Sequence, residues 1–334
     1  MKRIIDGYFN EITLLKVIAT FCITWFHFKW TVPAQLSPLF IGGAIGNSLF
    51  FFASGFLLKF KDEQYPCEWL IKKFLRLLPS IWIFYIGSSL LCSNYMFAWY
   101  NLLFPTTFWF VNAILIYFVI SYVLFAINQK FFNQKSMIPA SPIGRKRLFL
   151  MILGGHFLYF FLFAYPCNDI IMDNGGLQCW FFWFAFFIIG QFCRLKNISF
   201  KGSYASLFKL ALSIIAFFAY KKFAINSSLL LIMQSVFIPL LLAWITYEIL
   251  QSVSFLIRLR YPSWLKKFFV AISNLTLDIY IVQMILINAI MPIVPFPFNI
   301  IISFISILII AFFNNRLASV VSNKMNHYVD LIKR

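Results

Sequence analysis

The chain has 334 residues, of which 62% are hydrophobic and only 11% charged, with a mean hydropathy of +0.85. That balance excludes an ordinary soluble enzyme and points to a polytopic membrane protein, and 45 phenylalanines and 10 tryptophans suit lipid contact and interfacial belts. A formal charge of +18 raises nucleic acid as a partner, a question that the placement of the cations along the chain answers.

The opening MKRIIDGYFNE is basic like a signal peptide, but Asp6 and Glu11 precede the apolar run, and Lys16, His27 and Lys29 interrupt it. The first segment is therefore read as a retained helix. Apolar runs follow at 12–30, 41–60, 77–93, 109–127, 148–165, 178–193, 206–220, 228–247, 270–290 and 299–318. A run of about 20 residues rising ~1.5 Å each crosses a hydrocarbon core of ~30 Å, so the spacing predicts an all-α bundle of about ten transmembrane helices. The sixth and seventh runs are short for that purpose. Of the 28 lysines and arginines, all but Lys16, Lys29, Lys221 and Lys222 fall at one end of these alternating runs. The asymmetry predicts that both termini are cytoplasmic and removes nucleic acid as the reason for the basic charge. No loop is long enough for a soluble domain, so residues 1–334 are expected to form one membrane-embedded domain.

Two outer loops stand out. Residues 93–108 carry Tyr95, Trp99 and Tyr100, read first as an interfacial belt. Residues 166–177 carry Asn168, Asp169, Asp173 and Asn174 between Cys167 and Cys179. An oxidising outer compartment permits a disulfide there, but two unpaired thiols are the favoured reading. The six cysteines form no CxxC and no Cys/His cluster, and no metal site is expected.

The ionisable residues inside apolar runs carry the chemistry. Lys16 and His27 are eleven positions apart, about three helical turns, so they share nearly one face of the first helix. Ionisable groups at bilayer depth are costly and commonly mark function; the plainer reading is a snorkelling lysine and a structural histidine. Ser54 and Gly55 are small residues inside a bulky helix and permit close helix approach. Lys73 and Arg76 sit three apart at the inner membrane edge, suited either to lipid headgroups or to donor phosphates. Trp109 opens the fourth helix. Asp278, with Tyr280 beside it, is the only acid well inside an apolar run. It is placed to pair, to relay a proton or to orient a polar group. His156 reads as a hydrogen-bonded structural histidine.

The order of these motifs resembles the membrane-bound acyltransferase 3 family of bacterial O-acyltransferases. Lys16 to His27 resembles that family's arginine, ten residues, then histidine. Phe50 to Phe56 resembles its phenylalanine-rich Ser-Gly-Phe motif, Arg76-Leu77-Leu78-Pro79 its R-x-x-P, and Trp109-Phe110 the opening of its fourth helix. Ser273 to Gln283 loosely resembles its late S-x-x-T-x-x-I-Y-L-x-H motif. Lys16 keeps the charge of the usual arginine but not its bidentate fork, and Gln283 stands where a histidine is frequent.

The resemblance implies transfer of an acyl group, most often acetyl, from cytoplasmic acyl-CoA to a hydroxyl of a cell-surface or lipid-linked glycan, in the bacterial cytoplasmic membrane. It implies acyl-CoA as co-substrate and no tightly bound cofactor. His27 would be catalytic, as general base or as transient acyl carrier. Lys16, Lys73 and Arg76 would bind the donor, and Ser54, Trp109, Asp278 and Tyr280 would support the site or contact the acceptor. The rival reading is a transporter or flippase for a glycan, which inverted repeats or broken helices would favour; neither is visible in the sequence. A glycan polymerase is disfavoured for want of a large external loop.

Overall fold

The computed structural model describes residues 10–59, 66–91, 102, 108–132, 138, 141–159, 161–162, 177–224 and 228–331. Among them every regular element is helical: α1 (Glu11–His27), α2 (Gly43–Phe56), α3 (Pro66–Leu91), α4 (Trp109–Phe132), α5 (Pro142–Tyr159), α6 (Leu177–Leu195), α7 (Tyr204–Ala224), α8 (Ser228–Leu256), α9 (Ser263–Asn274), α10 (Thr276–Ile290) and α11 (Phe298–Leu331). Cys167 lies outside the described residues, as do the loop aromatics Tyr95, Trp99 and Tyr100, so the disulfide and belt expectations rest on the sequence.

Each of the ten apolar runs overlaps at least one helix in its described part, but fewer helices meet the demands of a span. Among the described residues five stretches, 11–30, 37–56, 109–131, 238–256 and 298–330, are long and apolar enough to cross a membrane. A sixth is gained if α9 and α10 are taken as one broken span. The run 270–290, expected to be continuous, breaks at Leu275 with a bend of 71°. The short sixth and seventh runs remain shorter apolar helices, over 182–195 and 204–220.

The chain divides into two compact units. The first is built from α1 through Ile23, α2, α5, α6, α7, α8 and α9 through Ser273. Asn10 caps the start of α1: its Oδ1 accepts the Thr13 N–H at 2.9 Å, satisfying a donor that the first turn leaves open. Gly42, at φ 118°, turns the chain into α2 through the left-handed region that only glycine enters freely. The α2–α6 pair then packs backbone to backbone. A Cβ on Gly55 would lie 1.9 Å from the Phe187 carbonyl oxygen, and one on Gly190 would lie 2.1 Å from that of Phe52. Gln191 closes the contact with its amide nitrogen toward the carbonyls of Gly55 (2.7 Å) and Leu58 (2.9 Å). The expectation that Gly55 serves close helix approach is met.

The second unit holds the end of α1 from Thr24, with α3, α4, α10 and α11. Leu78 and Ile81 of α3, Val111 and Leu115 of α4, and Ile281 of α10 form a buried core with Phe108. Pro79 lies inside α3 and has no N–H to give the carbonyl of Leu75, four residues back. That oxygen takes the Ser322 hydroxyl of α11 instead, at 2.8 Å. One turn on, Asn314 of α11 donates to the Ser80 carbonyl at 3.0 Å. The proline thus converts a lost intrahelical bond into the seam that docks α11. Lys72 bridges Glu68 (2.6 Å) and Asp330 (3.0 Å) further along the same seam.

Candidate functional site

Helix α1 carries a stripe of polar residues at helical spacing: Thr13, Lys16, Thr20, Thr24 and His27. The three threonines are buried, and Lys16 and His27 are half-buried. Such a stripe inside an apolar helix requires polar partners, because an unpaired polar group in a dry environment costs roughly 1–3 kcal/mol. Two of the partners are provided from the far end of the chain. Lys16 Nζ donates to the carbonyl of Ser273, in the last turn of α9. A cation there satisfies a carbonyl and favours the negative end of the helix. Thr24 Oγ1 donates to Oε1 of Gln283 on α10 at 2.7 Å.

His27 is the last residue of α1, one turn beyond Thr24. Its Nδ1 is buried and makes no hydrogen bond. Gln283 itself is 1% exposed, and its Nε2 is a buried donor without a partner. Phe26 flanks the imidazole at 5.9 Å between ring centres.

Helix α10 arranges the other expected residues. Tyr280 and Gln283 are three apart and share a face, whereas Asp278 is turned away from Gln283 by about 140° at ~100° per residue. Tyr280 packs its ring against Phe110 (5.2 Å) and Phe108 (6.4 Å), and the Phe110 N–H reaches its hydroxyl. Trp109, the first residue of α4, stands edge-on to Phe110 at 6.0 Å. Asp278 is 1% exposed and does not bond His27. Its two oxygens take Asn314 Nδ2 (2.7 Å) and Asn315 Nδ2 (2.8 Å), with the Ser80 hydroxyl also directed to it. Its position in the first turn of α10 also favours the positive helix end.

The two cations of α3 differ in setting. Lys73 is half-buried, its ammonium over the rings of Trp69 (5.4 Å) and Phe118 (5.9 Å). Arg76 is exposed. Ser54 is half-buried on α2 within the first unit, and the hydrogen bond across that helix surface is made by Ser48 instead, with Thr246 at 3.0 Å. The second unit therefore contains His27, Lys73, Arg76, Trp109, Asp278 and Tyr280, while Lys16 and Ser54 belong to the first. Sequence reading missed Thr24, which lies three residues before His27 on the same face. It also missed Asn314-Asn315, a polar pair interrupting the apolar run of α11, and it treated Gln283 only as a lost imidazole. His156, expected to be structural, is buried against Phe182 at 6.1 Å. No group of three or more metal-ligating side chains occurs among the described residues.

With every regular element among the described residues helical and several of them apolar spans, the chain is a multi-pass membrane protein. A profile of the acyltransferase domain matches residues 9–314, nearly the whole chain, and the protein belongs to this family of acyltransferases. Searches of curated proteins and of solved structures return no match.

Proposed function

We propose that this acyltransferase moves an acyl group, acetyl in the simplest case, from cytoplasmic acyl-CoA to a hydroxyl of a cell-surface or lipid-linked glycan. Its setting would be the bacterial cytoplasmic membrane, with both termini on the cytoplasmic side. The observation that carries the reading is His27: a half-buried imidazole at the end of a polar helix face, with a buried Nδ1. In this reading Nε2 takes the proton of the acceptor hydroxyl as its oxygen attacks the thioester carbonyl. The new C–O ester bond forms, the C–S bond breaks, and the thiolate of CoA receives the proton from the imidazolium. The alternative, in which Nε2 carries the acyl group between donor and acceptor, uses the same nitrogen. Lys73 and Arg76 are assigned to the donor phosphates, Arg76 by its bidentate fork and Lys73 as a point charge. Lys16, engaged by the Ser273 carbonyl, is assigned to holding the α9 end rather than to the donor.

The test is transfer of labelled acetyl from acetyl-CoA to candidate glycans by purified protein in nanodiscs. His27→Ala is expected to lower turnover by about 10²–10⁴-fold, the usual span for a general base, at unchanged yield and monodispersity. Turnover in that variant within a few-fold of wild type would refute the role of His27.

A further inference from the structure

Helix α9 is short and two-faced. Its 12 residues rise about 18 Å, less than the ~30 Å that a span needs. At ~100° per residue, Trp264, Leu265, Phe268, Phe269 and Ile272 fall within an arc of about 140°, and Ser263, Lys266, Lys267 and Asn274 within about 100° on the opposite side. Leu265, Phe269 and Ile272 are half-buried. Trp264 is 67% and Phe268 49% exposed, so protein covers only part of the apolar face. Both lysines are exposed.

The chain leading into α9 is basic. The Ser254 hydroxyl bonds the Phe200 carbonyl, and the Arg258 guanidinium bonds that of Gly202. The rings of Tyr204 and Phe255 pack at 4.5 Å in the same contact. The loop before α7 is thereby pinned to the turn before α9, which adds Lys201 to Arg260, Lys266 and Lys267, all exposed. Between Leu195 and Leu277 the only carboxylate is Glu248, and it is buried. The depth of α9 is set by Lys16, which bonds the Ser273 carbonyl in its last turn. Lys16 stands five residues after Glu11, about 8 Å along α1, and side chains lean toward the start of their helix. The end of α9 is therefore held near one end of a span.

We propose that α9 lies along the membrane surface and docks on anionic lipid, with Trp264 and Phe268 entering the acyl boundary and Lys201, Arg260, Lys266 and Lys267 meeting the headgroup phosphates. Apolar burial and charge attraction act together in such helices. A second copy of the chain is a poor occupant of this surface, because it would set four cations against four. The inference is independent of the reaction catalysed.

The experiment replaces Trp264 by photoreactive p-benzoylphenylalanine in the full chain, in nanodiscs of phosphatidylcholine with a minor share of phosphatidylglycerol. Mass spectrometry identifies the cross-linked lipid and the carbon attacked. The same probe in place of Ile309, exposed within the span 298–330, reports ordinary lipid contact. Adducts at the Trp264 position are expected to be enriched about fivefold in phosphatidylglycerol over those at the Ile309 position, and to form on acyl carbons close to the glycerol. Arg260→Gln, Lys266→Gln and Lys267→Gln together are expected to bring the enrichment below about twofold. Salt at about 0.5 M is expected to act in the same direction, and it tests the charge term even where the triple variant fails to fold. Adducts in bulk proportion, an enrichment that neither salt nor the triple variant lowers, adducts at the chain termini, or cross-links to a second copy would each overturn the proposal.

Discussion

Replacing Asp278 separates anchoring from chemistry. Its carboxylate accepts two amide hydrogen bonds from α11, at 2.7 and 2.8 Å, in a site with 1% exposure. Hydrogen bonds to a charged group contribute about 1.5–3 kcal/mol each. Alanine forfeits both and leaves the Asn315 amide without its acceptor, but it also relieves the carboxylate of its desolvation. The net expectation is a loss of about 3 kcal/mol for Asp278→Ala. Asp278→Asn keeps the shape and one acceptor oxygen while turning an NH₂ toward a neighbouring NH₂, and is expected to cost about 2 kcal/mol. At roughly 2–4 °C per kcal/mol, these correspond to Tm drops of about 6–12 °C and 4–8 °C. The assay is tryptophan fluorescence on heating the protein in a fixed detergent or nanodisc, with aggregation followed in parallel. The double change Asp278→Asn with Asn315→Asp exchanges the carboxylate and the amide across the same contact and is expected to restore most of the loss. A variant Asp278→Ala that melts like wild type yet has lost activity would refute the anchoring account and place the carboxylate in the chemistry.

Other outcomes follow from single contacts. Gly55→Ala must displace the Phe187 carbonyl, 1.9 Å from the new methyl, and is expected to destabilise by about 1–3 kcal/mol or more. Gly154→Ala, where nothing lies within 4 Å, is the neutral or slightly stabilising control in the same melting assay. Arg76→Ala is expected to weaken acyl-CoA binding by about tenfold and Arg76→Lys by less, since a point charge keeps part of a phosphate contact. Equal affinity in all three proteins, measured by titration calorimetry, would make Arg76 a lipid-facing cation.

Much of the helix inventory was legible because a long apolar run is a local signal, and each of the ten runs overlaps at least one helix in its described part. The break at Leu275 was not legible. Neither proline nor glycine marks it, and the last turn of α9 is held by Lys16, 257 residues away. Gly55 was readable as a packing residue from its size alone, although its partner Gly190 was not. Asp278 was visible as an anomaly, but its partners Asn314 and Asn315 read as ordinary polar residues because helix-to-helix register is absent from local pattern. Gln283 illustrates the same limit. It was noticed as the absence of an imidazole, while its bond to the Thr24 hydroxyl joins residues 259 positions apart.

The long reach of the polar contacts on α1 has a consequence for synthesis. Lys16 and Thr24 find their partners 257 and 259 residues later. At about 5–20 residues per second, a ribosome needs roughly 13–50 s to make that much chain. During that interval Lys16 and Thr24 lack these companions, while Thr13 and Thr20 bond Asn10 and the Lys16 carbonyl within their own helix end. Lipid cannot serve in their place, because hydrocarbon offers no hydrogen bonds. The first helix must therefore linger in a sheltered, water-accessible place, such as the mouth of the insertion machinery, until α9 and α10 emerge. Slowing translation between α1 and α10 would lengthen that exposure and would be felt first as degradation of the nascent protein.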